Sequence, residues 1–212
     1  MENVSENLFN TIVGTLRSNV SYDFLKKSKT QSGNTQIAER DIIRVVREIL
    51  QMLELTFTEA SSQQPYDFRI RLPGYETFQP TEEQIRNGDI FVEEQMAMLL
   101  LEVKKTDSNT IYFNDTCPNK LVNYLIIYTG KIFKTKPEIL PAIYSINGSE
   151  IIATSPWLLD FKKDIDALRE KYRETEGIMT VYPRPTYKAN METIFREKYD
   201  TSKIAKLDQL PV

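Results

Sequence analysis

Apolar residues recur along this chain at two periods, three-to-four and two, and the changes between them mark out its elements. Leu8, Phe9, Ile12, Val13 and Leu16, then Phe24 and Leu25, predict an amphipathic helix within residues 5–27. It breaks before the turn-like Lys29-Thr30-Gln31-Ser32-Gly33-Asn34. Over residues 36–55, Ile42, Val45, Val46, Ile49, Leu50 and Leu53 repeat at three and four, the best helical pattern in the chain. Its polar face carries Arg40, Arg44, Arg47, Glu48 and Gln51. Asp67-Phe68-Arg69-Ile70-Arg71-Leu72 alternates polar and apolar, a half-buried strand that Pro73-Gly74 ends. Residues 75–88 read as a long polar excursion. Asp89-Ile90-Phe91-Val92 and Ala97 to Lys104 predict the two strands of a hairpin, Tyr112-Phe113 a strand edge, and Leu121 to Tyr128 a buried strand. Ala142 to Ile146 predicts another strand. Ser155-Pro156 offers a cap followed by proline in the first turn, predicting a helix to about Glu176 that stops at Gly177. Ile178 to Tyr182 predicts a strand, and residues 188–199 a short helix. Helices first, strands in the middle and helices late give an α/β fold with a central mixed β-sheet flanked by α-helices.

Composition narrows the chemistry. A length of 212 residues suits one domain. With 41% apolar and 27% charged residues the chain reads as globular, and no apolar run approaches the roughly 20 residues of a membrane helix. Met1-Glu2-Asn3-Val4-Ser5-Glu6 lacks a basic region followed by an apolar one, so no signal peptide is expected. The single cysteine, Cys117, excludes an intramolecular disulfide and a Cys-rich zinc site, and fits a reducing cytoplasm. There is no histidine. That removes Ser-His-Asp and Cys-His catalysis, histidine-zinc hydrolases and any nuclease whose base is histidine. Carboxylates, lysine, tyrosine and hydroxyls remain. At a net charge of −3, positive charge for nucleic acid would have to be segregated into a cleft.

The most informative stretch is Leu99-Leu100-Leu101-Glu102-Val103-Lys104-Lys105. In a strand Glu102 and Lys104 share a face while Val103 points into the core. A carboxylate and an ammonium at the end of a buried strand suit a site that holds a divalent metal and orients water against a phosphate. The plain reading is a lysine snorkelling at a strand end. An acid on a neighbouring strand strengthens the first reading, and there are two candidates. Asp67 opens a strand in Gln63-Gln64-Pro65-Tyr66-Asp67-Phe68. Asp89, in Asn87-Gly88-Asp89-Ile90, would lie across from Glu102 in a hairpin turning near residues 94–96.

Pro65-Tyr66-Asp67 with Glu102-Val103-Lys104 resembles the PD-(D/E)xK nuclease signature, as in Type II restriction endonucleases, over roughly residues 37–130. The first helix, the acid-bearing strand, the Glu-x-Lys strand and a following αβ element come in the family's order. The polar, Asn-containing stretch Glu102 to Pro118 is similar to the segment that follows this strand in restriction enzymes. The resemblance implies one domain over 1–212, with a restriction-endonuclease-like core at about 37–146 and a C-terminal helical part at about 155–212. It implies Mg²⁺ held by Asp67, Glu102 and the Val103 carbonyl, Lys104 placing the attacking water, and no organic cofactor. Two departures stand out. Tyr66 separates proline from acid, and 34 residues separate Asp67 from Glu102. If the insertion is a surface loop the strand pairing survives, because lengthening a loop costs little; otherwise Asp89 is the ligand. Glu48 is either a further ligand or an exposed helical glutamate paired with Arg44.

The implied activity is sequence-specific, Mg²⁺-dependent hydrolysis of double-stranded DNA by a homodimer with one site per strand. Alternatives on the same fold are a repair nuclease, a Holliday-junction resolvase, or a DNA-binding protein with an idle site. Gln63, Gln64, Lys105, Asn114, Asp115, Thr116 and Lys120 flank the motif and are candidate DNA contacts, although Asn114-Asp115-Thr116 also reads as an Asx-type turn. Lys131, Lys134 and Lys136 cluster without intervening acids. Arg40, Arg44 and Arg47 share a helical face that reads as phosphate contacts or, beside Glu39, Asp41 and Glu48, as a solvated ion-paired surface. Leu158, Phe161, Ile165, Leu168 and Tyr172 form either a dimer seam or a face packed on the chain's own sheet. Tyr182 to Lys188 reads as a DNA-clasping arm or an ordered loop.

Overall fold

In a computed structural model of the chain, residues 4–27, 35–60, 64–74, 97–107, 110–114, 117–129, 141–172 and 186–190 are described. The N-terminal apolar pattern forms two helices, α1 (Val4–Asn19) and α2 (Tyr22–Lys27), broken at Val20-Ser21, and the strongest pattern forms α3 (Thr35–Met52). Strands β1 (Phe57–Glu59), β2 (Phe68–Arg71), β3 (Met98–Thr106), β4 (Thr110–Asn114), β5 (Val122–Tyr128) and β6 (Ala142–Asn147) follow, then α4 (Gly148–Thr154), α5 (Leu158–Lys171) and β7 (Thr186–Asn190). The fold is α/β, built on a mixed five-stranded sheet in the order β1-β2-β3-β5-β6. Its β3–β5 pair is parallel and its other pairs are antiparallel.

The sheet is buried on both faces, which accounts for the unbroken burial along β5. On one face Phe68, Ile70, Leu101, Val103, Leu125 and Ile127 pack against α1 and α3 through Ile12, Leu16, Val46 and Leu50. On the other, Leu100, Tyr124, Ile126 and Tyr144 pack against Ile111, Phe113 and Tyr187 of a two-stranded β4–β7 ribbon and against Ile151 and Leu158. Arg17, at the end of α1, ties this helix to the sheet by donating from Nε and Nη2 to the Ile143 carbonyl at 3.0 and 2.8 Å.

Several expectations are corrected. The connection between parallel strands β3 and β5 carries β4 and, among the described residues, no helix, where the family resemblance implied an αβ element. Ile111 and Phe113 alternate with Thr110 and Tyr112, so the segment buries one face by pairing with a distant strand. Residues 188–190, expected to begin a helix, belong to that partner β7, so the C-terminal part is not wholly helical. Pairing with β4 outweighs their local preference. Ser155 closes α4 instead of opening the next helix, and α5 begins at Leu158. Within α5 only Leu158 of the apolar set is buried, whereas Phe161 and Leu168 are exposed, so the helix does not pack along its length on its own sheet. The strands expected at 89–92 and 178–182 lie outside the described residues. Among the described residues no helix is long and apolar enough to cross a membrane.

Among the described glycines, Gly148 marks the tightest backbone approach. A Cβ there would stand 1.9 Å from the Asn119 carbonyl oxygen and 2.9 Å from that of Val122. Gly148→Ala is therefore expected to force the 119–122 turn away from α4 and to destabilise the protein by about 1–3 kcal/mol, measurable as a lowered melting temperature.

Candidate active site

Asp67 immediately precedes β2, and its main chain is pinned on both sides. Its N–H donates to the Leu101 carbonyl and its carbonyl accepts from Ala60 N–H, both at 2.9 Å. Beyond Leu101 the main chain of β2 leaves β3, and the Asp67 carboxylate takes over: Oδ2 accepts the Val103 N–H at 2.7 Å. A side chain thus satisfies a strand-edge donor that would otherwise face the site unpaired. Main-chain N–H and C=O of one residue lie on the same strand edge, so the Val103 carbonyl faces the Asp67 side as well. The other edge of β3 at Glu102 is occupied by Tyr124 of β5.

Val103 is buried against α1 and α3. Glu102 and Lys104 share the opposite face, as the alternation requires, and form an ion pair with side chains only 12% and 20% exposed. The Lys104 ammonium also lies 5.9 Å from the centre of the Phe113 ring, so β4 forms one wall of the site. The Asp67 and Glu102 carboxyls are neighbours, close enough for their interaction to bear on the ionisation of both. Burial pushes Glu102 up to about 8 against the opposing pull of Lys104, and the Asp67 charge adds to the rise. Burial also raises Asp67, opposed by the Val103 N–H and by Lys104.

Tyr66, which separates Pro65 from Asp67, fills the core. The insertion after β2 leaves the pairing intact: Leu72 N–H donates to the Ala97 carbonyl at 3.0 Å, so the chain departs and returns at adjacent points. Asp89 lies outside the described residues, as do Gln63, Asp115, Thr116, Lys131 and Lys134. Asn114 ends β4 in register with Thr186. Lys120 is exposed in the turn before β5, and Gln64 is half-buried shortly before Asp67. Lys105 is half-buried on the opposite face of β3 from Lys104; burial lowers its pKa, against the nearby charges of Glu39 and Asp107.

The acid on α3 that reaches this site is Glu39, not Glu48. Glu39 lines an open cleft of about 570 Å³ together with Asp67, and its charge bears on both Asp67 and Lys105. Glu48 is exposed and pairs with Arg44 at 3.9 Å. The two glutamates are nine positions apart, which is two and a half turns at about 3.6 residues per turn. Glu39 precedes Ile42 and Val46 by three and seven residues, so it lies on the sheet-facing side. That spacing was available in the sequence.

The chain matches no family model, no curated protein and no solved structure.

Proposed function

We propose that the chain is a Mg²⁺-dependent endonuclease of the restriction type, with a restriction-endonuclease-like core, cutting both strands of DNA at a specific sequence as a cytoplasmic homodimer. The observation that carries this reading is the convergence of Asp67 and Glu102, held together at a sheet rim, with Lys104 paired on the same face. The donor set fits Mg²⁺. Two carboxylates and a main-chain carbonyl are hard oxygen donors, and the Asp67 charge that raises the Glu102 pKa is one a cation would offset. Among the described residues there is no group of three or more acidic or cysteine ligands. Mg²⁺ takes one or two carboxylates and completes its shell with water and substrate phosphate. Asp67, Glu102 and the Val103 carbonyl would hold it. The chemistry that Mg²⁺ supplies in such a site is a lowered pKa for water and neutralisation of charge on the phosphate.

The protein's own groups do the rest. The Val103 N–H fixes the Asp67 carboxylate, and the main-chain bonds to Leu101 and Ala60 fix its backbone. Lys104, steered by Glu102, presents an ammonium that orients the attacking water and meets the negative charge of the pentavalent transition state. No histidine is needed for any of these roles.

Digestion of a mapped plasmid with Mg²⁺ and with EDTA, followed by sequencing of fragment ends, tests the reading. Discrete ends formed only with Mg²⁺ are expected. Cleavage confined to branched or damaged DNA would instead indicate a resolvase or repair nuclease, and no metal-dependent cleavage would leave a DNA-binding protein with an idle site. Asp67→Ala should fold and bind DNA but fail to cut. An active Asp67→Ala protein beside a dead Asp89→Ala protein would overturn Asp67 as the ligand.

A further inference from the structure

The cleft above Asp67 is walled by α3, which lines it with Arg40, Arg44 and Arg47 as well as Glu39 and Asp41. These arginines fall at i, i+4 and i+7 and so form one stripe. Their settings differ. Arg47 makes a forked contact with Glu59 of β1, its Nη2 donating to Oε2 at 2.8 Å, and this pins the helix to the edge strand. Arg44 is exposed and meets only exposed acids on its own helix, Asp41 at 3.4 Å and Glu48 at 3.9 Å. Such pairs are weak and exchange readily. Arg40 carries no ion pair among the described residues.

We propose that Arg40 and Arg44 grip the DNA phosphate backbone and lay it along the cleft onto Asp67 and Glu102, with Arg47 as the positioning residue that holds the stripe in place. The inference rests on the nuclease reading and names the part of the protein that seats its substrate. Guanidinium groups bind phosphate through two parallel N–H donors, a geometry that an isolated exposed carboxylate partner on the same helix does not outcompete. Arg40 and Arg44 stand one turn apart, about 6 Å along the helix axis, which covers about two nucleotides of axial rise on one DNA strand. The cleft's other acids leave these two cations available. Asp67 belongs to the site itself, and Glu39 faces Asp67 and Lys105. A chain with a net charge of −3 needs such local segregation to hold a polyanion.

The test is fluorescence anisotropy with a labelled duplex in Ca²⁺, replacing Mg²⁺ to prevent cleavage, over about 50–200 mM salt. Arg40→Gln/Arg44→Gln is expected to weaken binding about tenfold or more and to reduce the slope of log Kd against log salt by about 2. Asp41→Asn, which releases Arg44, should tighten binding. Lys162→Gln/Lys163→Gln, on α5, should leave the slope unchanged. Thermal melts establish that each variant is folded. An unchanged slope in the arginine variant, or an equal loss in the α5 variant, overturns the inference. If the unmodified protein binds no duplex at all, the nuclease reading itself fails.

Discussion

Glu102→Gln is expected to abolish cleavage and, in the same protein, to stabilise the metal-free fold. The two effects share one cause. Glu102 is buried beside a second carboxylate and titrates near 8 instead of near 4.5. The folded state therefore holds this proton more tightly than the unfolded chain does. Stability is fully present below about 4.5, falls as the pH rises through the window from there to about 8, and is level above it. The slope within the window is at most about 1.4 kcal/mol per pH unit for one proton. In EDTA, the melting temperature of the unmodified protein should fall between pH 5 and 8, and Glu102→Gln should remove most of that fall. The raised pKa of Asp67 acts with the same sign. Lys105, whose pKa is lowered by burial, and Glu59, lowered by its contact with Arg47, are present in both proteins and drop out of the comparison. The amide cannot carry the charge that a cation needs, so cleavage should drop by at least about 10³-fold. Mg²⁺ should raise the melting temperature of the unmodified protein at pH 8 and not that of the variant. An identical pH dependence of melting in the two proteins would show that Glu102 is not held protonated by its surroundings.

Lys104→Ala should cost about 10²–10⁴-fold in turnover while leaving duplex affinity in Ca²⁺ within a few-fold. The ammonium is held between Glu102 and the Phe113 ring, so its removal takes away a charge fixed at the reacting face. It also takes away the interaction that opposes the rise of the Glu102 pKa, and the pH at which cutting begins should move upward. Lys105, next in sequence, lies on the other face of the strand beside Glu39. Lys105→Ala should therefore weaken DNA binding yet retain turnover at saturating DNA. Single-turnover kinetics separate the two quantities, and equal losses for both lysines would remove the special role of Lys104.

The parts of this site that follow local geometry were legible in the chain. Alternation in Leu101-Glu102-Val103-Lys104 put the acid and the ammonium on one face, and their ion pair realises that placement. The same alternation marked Phe68 and Ile70 as the buried side of β2, and the three-to-four period marked the buried side of α3. Helical spacing also held the difference between Glu39 and Glu48, which a reading of polar residues as one face overlooked.

What periodicity reports is which side of an element meets the core; it does not report which distant element supplies the partner. That is why Asp89 stood as an alternative to Asp67 in the sequence; the pairing of β2 with β3 brings the Asp67 carboxylate to the Val103 N–H, and Asp89 lies outside the described residues. It is also why residues 188–190 read as a helix until β4 claimed them as a strand. The amino-acid order alone determined that the chain has no histidine, which leaves carboxylates and lysines among the groups open to any chemistry, and that its central strands are apolar enough to be buried. Only the tertiary structure decided which second acid stands beside Glu102, which glutamate of α3 faces it, and how far burial lifts its pKa. Each of these depends on long-range chain closure and on the low dielectric that closure creates.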